Sequence, residues 1–202
     1  MTAPDLRRIT GLPLFPLPDA FLFPGALVPL HVFEPRYLQM VGDLLDTAGR
    51  LALGCLDPAG AVRPEGPAVL PVAGLGEIVS HRRLDDGRYL IWLLGLDRLR
   101  IAEAPSDRLY RRVQADVIEE EPGDPQLSAA LAPRLRDAVA ARMLPGVQLA
   151  DGLDTGLLAD LLFQHLPLSR ERKAWAMAEG NVTRRAEAAL AWLDGLADAA
   201  EA

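Results

Sequence analysis

The chain has 202 residues, half of them hydrophobic, a net charge of −7 and a single cysteine. That is enough apolar material for one domain or two small ones, and it excludes an intramolecular disulfide framework. Neither the first 120 residues nor the remainder is net basic, so the electrostatic footprint of a nucleic-acid or anionic-membrane binder is missing.

In chain order, Met1 to Gly11 reads as a frayed start, without the basic and apolar regions of a signal peptide. No apolar run reaches the ~18 residues a membrane helix needs. A cytoplasmic location is therefore expected, with no membrane partner. Leu14 to Leu17 is apolar but proline-rich, which suits an edge segment. Phe23-Pro24-Gly25 reads as a turn, with proline presetting one corner and glycine free to take the positive φ that follows. Leu27 to Phe33 alternates loosely and reads as a buried strand, and Pro29 fits it only at an edge or a bulge. Glu34-Pro35 ends that strand. Pro35 then opens a helix whose apolar face is Tyr37, Met40, Val41, Leu44 and Leu45.

Arg50 to Leu56 reads as a short buried strand, and Asp57 to Pro71 as a long proline-rich loop. Leu75 to Leu84 and Arg88 to Leu94 flank Asp85-Asp86-Gly87, a hairpin signal. Tyr89 to Leu94 is apolar without alternation, which predicts that both its faces are covered. Leu99 to Ala104 and Tyr110 to Glu119 complete the strands. Charge, proline and glycine cluster from Glu119 to Pro125, and a domain boundary is expected there. Beyond it, Leu127, Leu131, Leu135 and Val139 recur on one helical face, interrupted by Pro133. Asp154 or Thr155, Ser169 and Asn181 are candidate caps of three further helices.

The stretch Phe23-Pro24-Gly25 followed by Leu30-His31-Val32-Phe33-Glu34-Pro35-Arg36-Tyr37 resembles the signature of the Lon protease N-terminal, or substrate-binding, domain family. Upstream Leu12 to Leu17 fits the same pattern. So do Gly74 to Ile78, Asp85 to Tyr89 and Gly95 to Ile101 downstream, where Leu99 stands in place of the usual Phe. The resemblance implies an α+β fold: a PUA-like β pseudo-barrel with one helix over residues 1–120, then a helical bundle over 125–202. It also implies a non-catalytic binding module for unfolded or extended polypeptide, in an adaptor or chaperone-like role. The chain reads as a standalone bacterial homologue lacking the ATPase and peptidase domains. The rival readings are an RNA-binding PUA-like protein and an enzyme with a dispersed site.

The exclusions are chemical. Lys173 is the only lysine and no glycine-rich loop precedes it, so there is no P-loop. None of Ser80, Ser106, Ser128 and Ser169 lies in a Gly-x-Ser-x-Gly elbow. Ser169 and Lys173 share a helical spacing, but a helix cap and a surface lysine is the favoured reading. His31, His81, His165 and Cys55 are far apart in sequence, so no metal motif and no cofactor is expected. Cys55 reads as a small buried hydrophobe.

The motif residues Phe23, Pro24, Gly25, His31, Phe33, Glu34, Pro35, Arg36 and Tyr37 are read as structural. Glu34 is expected to cap the helix at Pro35, with Arg36 pairing locally or bracing the β domain. A surface that selects unfolded chains should expose apolar groups. Phe15, Phe21, Phe23, Leu70 and Leu75, which lie near turns and prolines, are the candidate peptide contacts.

Overall fold

The computed structural model describes residues 8–63, 66–143 and 148–201. The strands are β1 (Arg8–Leu17), β2 (Leu27–Val32), β3 (Arg50–Leu56), β4 (Val62–Arg63), β5 (Gly66–Pro67), β6 (Val69–Arg83), β7 (Tyr89–Ala104) and β8 (Arg111–Val117). The helices are α1 (Pro35–Leu45), α2 (Pro125–Ala140), α3 (Thr155–His165), α4 (Arg170–Ala178) and α5 (Val182–Glu201). The class is α+β, as expected. The chain divides into two compact units, residues 1–118 and 119–202.

In the first unit the sheet runs β2-β7-β6-β3-β1-β8, and β8 also pairs with β7. Five strands therefore close on themselves, and β2 is an added edge held by β7 alone. Closure removes the free edges that an open sheet would carry. One core cluster takes Leu12 and Leu14 of β1, Ala52 of β3, Ala73 and Leu75 of β6, Leu99 of β7, and Val113 and Ala115 of β8. It draws on every closing strand and fills the barrel. Alternate residues of the same strands, such as Phe15, Leu51, Leu53, Ile91 and Leu93, point the other way. They form a second cluster with Tyr37, Met40, Val41 and Leu44 of α1, the helical face read from the sequence.

Several expectations need correction. Of the frayed start, residues 1–7 lie outside the described residues, and Arg8 to Gly11 already belong to β1. Leu14 to Leu17 is one-sided as expected, pairing with β3 alone beyond Leu14, but it is the second half of a longer β1 whose first half, Arg8 to Leu14, pairs with β8. The two pairings overlap only at Leu14, so each half has a partner on one side, and Pro13 and Pro16 are tolerated as they would be at an edge. The segments 88–94 and 99–104 merge into the single strand β7. Its register with β6 shifts between Leu75–Asp97 and Gly76–Gly95, an irregularity that absorbs one residue. The long loop is shorter than expected, because β6 begins at Val69 and β4 pairs with β5 inside it.

In the second unit, Asp154, Ser169 and Asn181 cap their helices. Their side chains accept from the backbone N–H of Leu157 at 2.8 Å, Arg172 at 3.4 Å and Arg184 at 3.0 Å. Asp124 also caps α2, accepting from Gln126 and Leu127. Pro133 lies inside α2 without dividing it. The expected inward Leu127 is partly exposed, and Ser128 is buried instead, 2.7 Å from the Thr183 hydroxyl. The unit is centred on Arg185, fully buried, with its Nε 3.2 Å from the buried Asp160 carboxylate. Its remaining nitrogens reach Glu120 and the carbonyls of Glu179 and Gly180.

Candidate functional site

The signature stretch is built into the first unit by close backbone approach. A Cβ on Gly95 would lie 2.1 Å from the Phe23 carbonyl oxygen, and one on Gly74 would lie 2.0 Å from that of Leu22. The Leu22-Phe23 backbone therefore lies directly on β6 and β7, where only glycine leaves room. Gly25, at φ 75°, donates its N–H to the Gly95 carbonyl at 2.9 Å, and Gly95 donates to Ala26 at 2.8 Å. The Phe-Pro-Gly turn is thus clamped to β7 and starts β2 in register with it.

Phe15, Phe21, Phe23 and Leu75 are buried and Leu70 is half-buried, so four of the five candidate peptide contacts are corrected to core residues. Phe21 and Phe23 belong to a turn segment laid against the sheet, whereas Phe15 and Leu75 are inward-facing residues of β1 and β6. The Phe15 ring packs 4.2 Å from that of Tyr37, whose hydroxyl pKa is raised, chiefly by burial. Glu34 holds the cap position of α1 but makes no side-chain cap bond. Its carboxylate pairs instead with Arg36 at 2.8 Å. Arg36 also lies 4.5 Å over the Tyr37 ring.

What the sequence reading missed is on the opposite side of β2. Its inner face, Val28, Leu30 and Val32, enters the core shared with α1. Its outer face carries Leu27, Pro29 and His31, and Phe33 follows, 5.8 Å from the His31 ring. Leu27 is 55% exposed and Phe33 59%. Residues directly opposite in a sheet share a face, so the pairings across β2, β7 and β6 define three rows. Leu27 lies beside Leu94 and Glu77, Pro29 beside Trp92 and Ser80, and His31 beside Leu90 and Arg82. A register shift between Ile78 and Ser80 bulges out Val79, which is 48% exposed. Leu90, Trp92 and Leu94 are only half-buried. Two expectations are therefore corrected: β2 is buried on one face only, and in the run Tyr89 to Leu94 Ile91 and Leu93 are buried while the other face is left partly open. The outcome is a contiguous apolar face centred on Trp92, of the kind that marks interaction sites.

One cleft of the first unit is less suited to a ligand. It holds about 480 Å³ and is lined by Arg36, Glu103, Arg108, Tyr110 and Arg111. Its guanidiniums are already paired: Arg36 with Glu34, Arg111 with Glu103 at 2.6 Å, and Arg108 with Asp43 at 3.8 Å. Tyr110, on its floor, donates its hydroxyl to Asp43 at 2.9 Å, and burial raises its pKa. Among the described residues no group of three His, Cys, Asp or Glu side chains is placed to hold a metal ion. Nor is any helix among them long and apolar enough to cross a membrane.

A family model described as the ATP-dependent protease La (LON) substrate-binding domain matches residues 11–195. The Lon protease of Azospirillum brasilense is 23% identical over 201 residues, covering 95% of this chain and 25% of that protein. Lon protease 2 of Sorangium cellulosum is 28% identical over 167 residues, covering 78% and 21%. The chain thus spans about a quarter or less of the length of these relatives. The crystal structure of a Lon N-terminal domain protein from Xanthomonas campestris superposes with a TM-score of 0.66 at 26% identity, covering 91% of this chain and 99% of that one. The N-terminal domain of a Mycobacterium avium complex Lon protease shares the fold, with a TM-score of 0.65 at 16% identity, over 90% and 97%.

Proposed function

Since the chain belongs to the Lon substrate-binding domain family, we propose that it binds unfolded or extended polypeptide without nucleotide, as a non-catalytic adaptor or chaperone-like module. The observation that carries this reading is the open apolar face of Leu27, Pro29, Phe33, Leu90, Trp92 and Leu94. Unfolding reveals apolar side chains, and a rigid apolar sheet face offers them a partner without prior ordering cost on the receptor side. Pro29 supports side-chain docking over strand addition, because a proline in an edge strand turns its missing donor to the free side. A further strand would find a gap there.

The test is titration of a labelled unfolded protein and a labelled RNA at low and high salt. Polypeptide binding is expected to be nearly salt-independent, whereas RNA binding would fall steeply as counterions compete. Leu27→Ser and Trp92→Ala are expected to weaken polypeptide binding by about tenfold or more in folded protein, since buried aromatic anchors dominate such contacts. Salt-sensitive RNA binding with no affinity for unfolded chains would overturn the reading.

A further inference from the structure

The three rows of the open face are chemically unequal. At one end Glu77 flanks Leu94, and its carboxylate is neutralised by Arg50 at 3.0 Å. At the other end Arg82 flanks Leu90, and this exposed guanidinium makes no ion pair among the described residues. Its basic neighbours at the hairpin are engaged: Arg88 holds Asp86 at 2.6 Å, and Arg83 lies over the Tyr89 ring at 5.9 Å. The face is therefore apolar in the middle, neutral at one end and cationic at the other. His31, in the same row as Arg82, adds no negative charge.

From this polarity we propose that the face selects extended segments in which an apolar residue is followed or preceded, two positions away, by a carboxylate. This rests on the polypeptide-binding reading and names the segment it takes. The spacing follows from sheet geometry. Successive rows on one face are two residues apart, about 6.6 Å along the strand, so a segment lying along β7 with one apolar side chain on Trp92 presents its next same-face side chain near Leu90 and Arg82. A carboxylate there meets an unpaired guanidinium that suits it in a planar, two-bond contact. The net charge of −7 opposes acidic partners at long range, but at about 0.1 M salt charges more than ~10 Å apart are largely screened. The preference is thus local to Arg82.

The experiment compares three fluorescein-labelled extended peptides on the full chain by anisotropy. They share an apolar core and carry Gln, Glu or Lys two positions to either side of it. The Glu peptide is expected to bind about fivefold tighter than the Lys peptide at moderate salt, the scale of an exposed charge contact. Arg82→Gln is expected to erase that difference, and Arg82→Lys to retain part of it. Equal binding of all three peptides, or a preference that survives in Arg82→Gln, overturns this inference and leaves polypeptide binding intact. Binding of none overturns both.

Discussion

Arg185 and Asp160 are the residues on which the second unit depends most. A buried ion pair is costly to desolvate, and removing one partner strands the other charge, typically at 3–5 kcal/mol. Arg185→Met is therefore expected to lower the unfolding free energy by about that amount in urea titrations. The double variant with Asp160→Asn is expected to lose less than the sum of the single changes, because the two share one interaction. No motif announces this pair, since Asp160 and Arg185 lie on different helices. Gly95→Ala forces a methyl group against the Phe23 carbonyl, and a melting curve is expected to show destabilisation of about 1–3 kcal/mol or more. Gly42 lies exposed inside α1 with nothing near a new Cβ, so Gly42→Ala is expected to stabilise by up to ~1 kcal/mol. The Glu34–Arg36 pair is about two-fifths exposed, and such pairs contribute about 0–1 kcal/mol, so its prominence in the signature is not matched by a large share of stability.

Among the elements, α1 and the capped helices follow from local signals, whereas the strand pairings depend on distant sequence. The helix caps are read directly because an Asp, Ser or Asn before an apolar period satisfies orphan N–H groups a few residues away. The prolines of β1 correctly signal one-sided pairing, but only the order of the barrel reveals that its two halves have different partners. At the end of α3, His165 has its pKa lowered by burial and by the nearby Arg142 and Lys173 charges. The unfolded chain then takes up the proton at higher pH than the folded one. Stability is expected to fall as pH drops through the unfolded value near 6.5, and to be unaffected by this group above it. Urea midpoints at pH values either side of 6.5 should therefore differ less in His165→Gln than in the parent protein. An equal drop in both would assign the acid sensitivity to other groups.

For the whole molecule, the division at Ile118/Glu119 places the acidic, proline-rich segment inside the second unit. Glu121 donates its N–H to Gly180 and accepts from Val182, while Glu120 meets Arg185. A fragment beginning at residue 119 is accordingly expected to unfold at higher urea than one beginning at 125, which would leave part of the buried guanidinium unpaired. Equal midpoints would make 119–124 a mere connector. The sequence alone determined the α+β class, the helix starts, the hairpin at Asp85 to Gly87 and the family signature, because each is read from short continuous stretches of the chain. Only the tertiary structure decided that Phe15, Phe21, Phe23 and Leu75 are core, and that Trp92, Leu27 and Arg82 share an open face. An apolar strand looks the same in sequence whether one face or two are covered. Which face stays open depends on where α1 and the Leu22-Phe23 segment come to lie, and that follows from contacts between residues far apart in the chain.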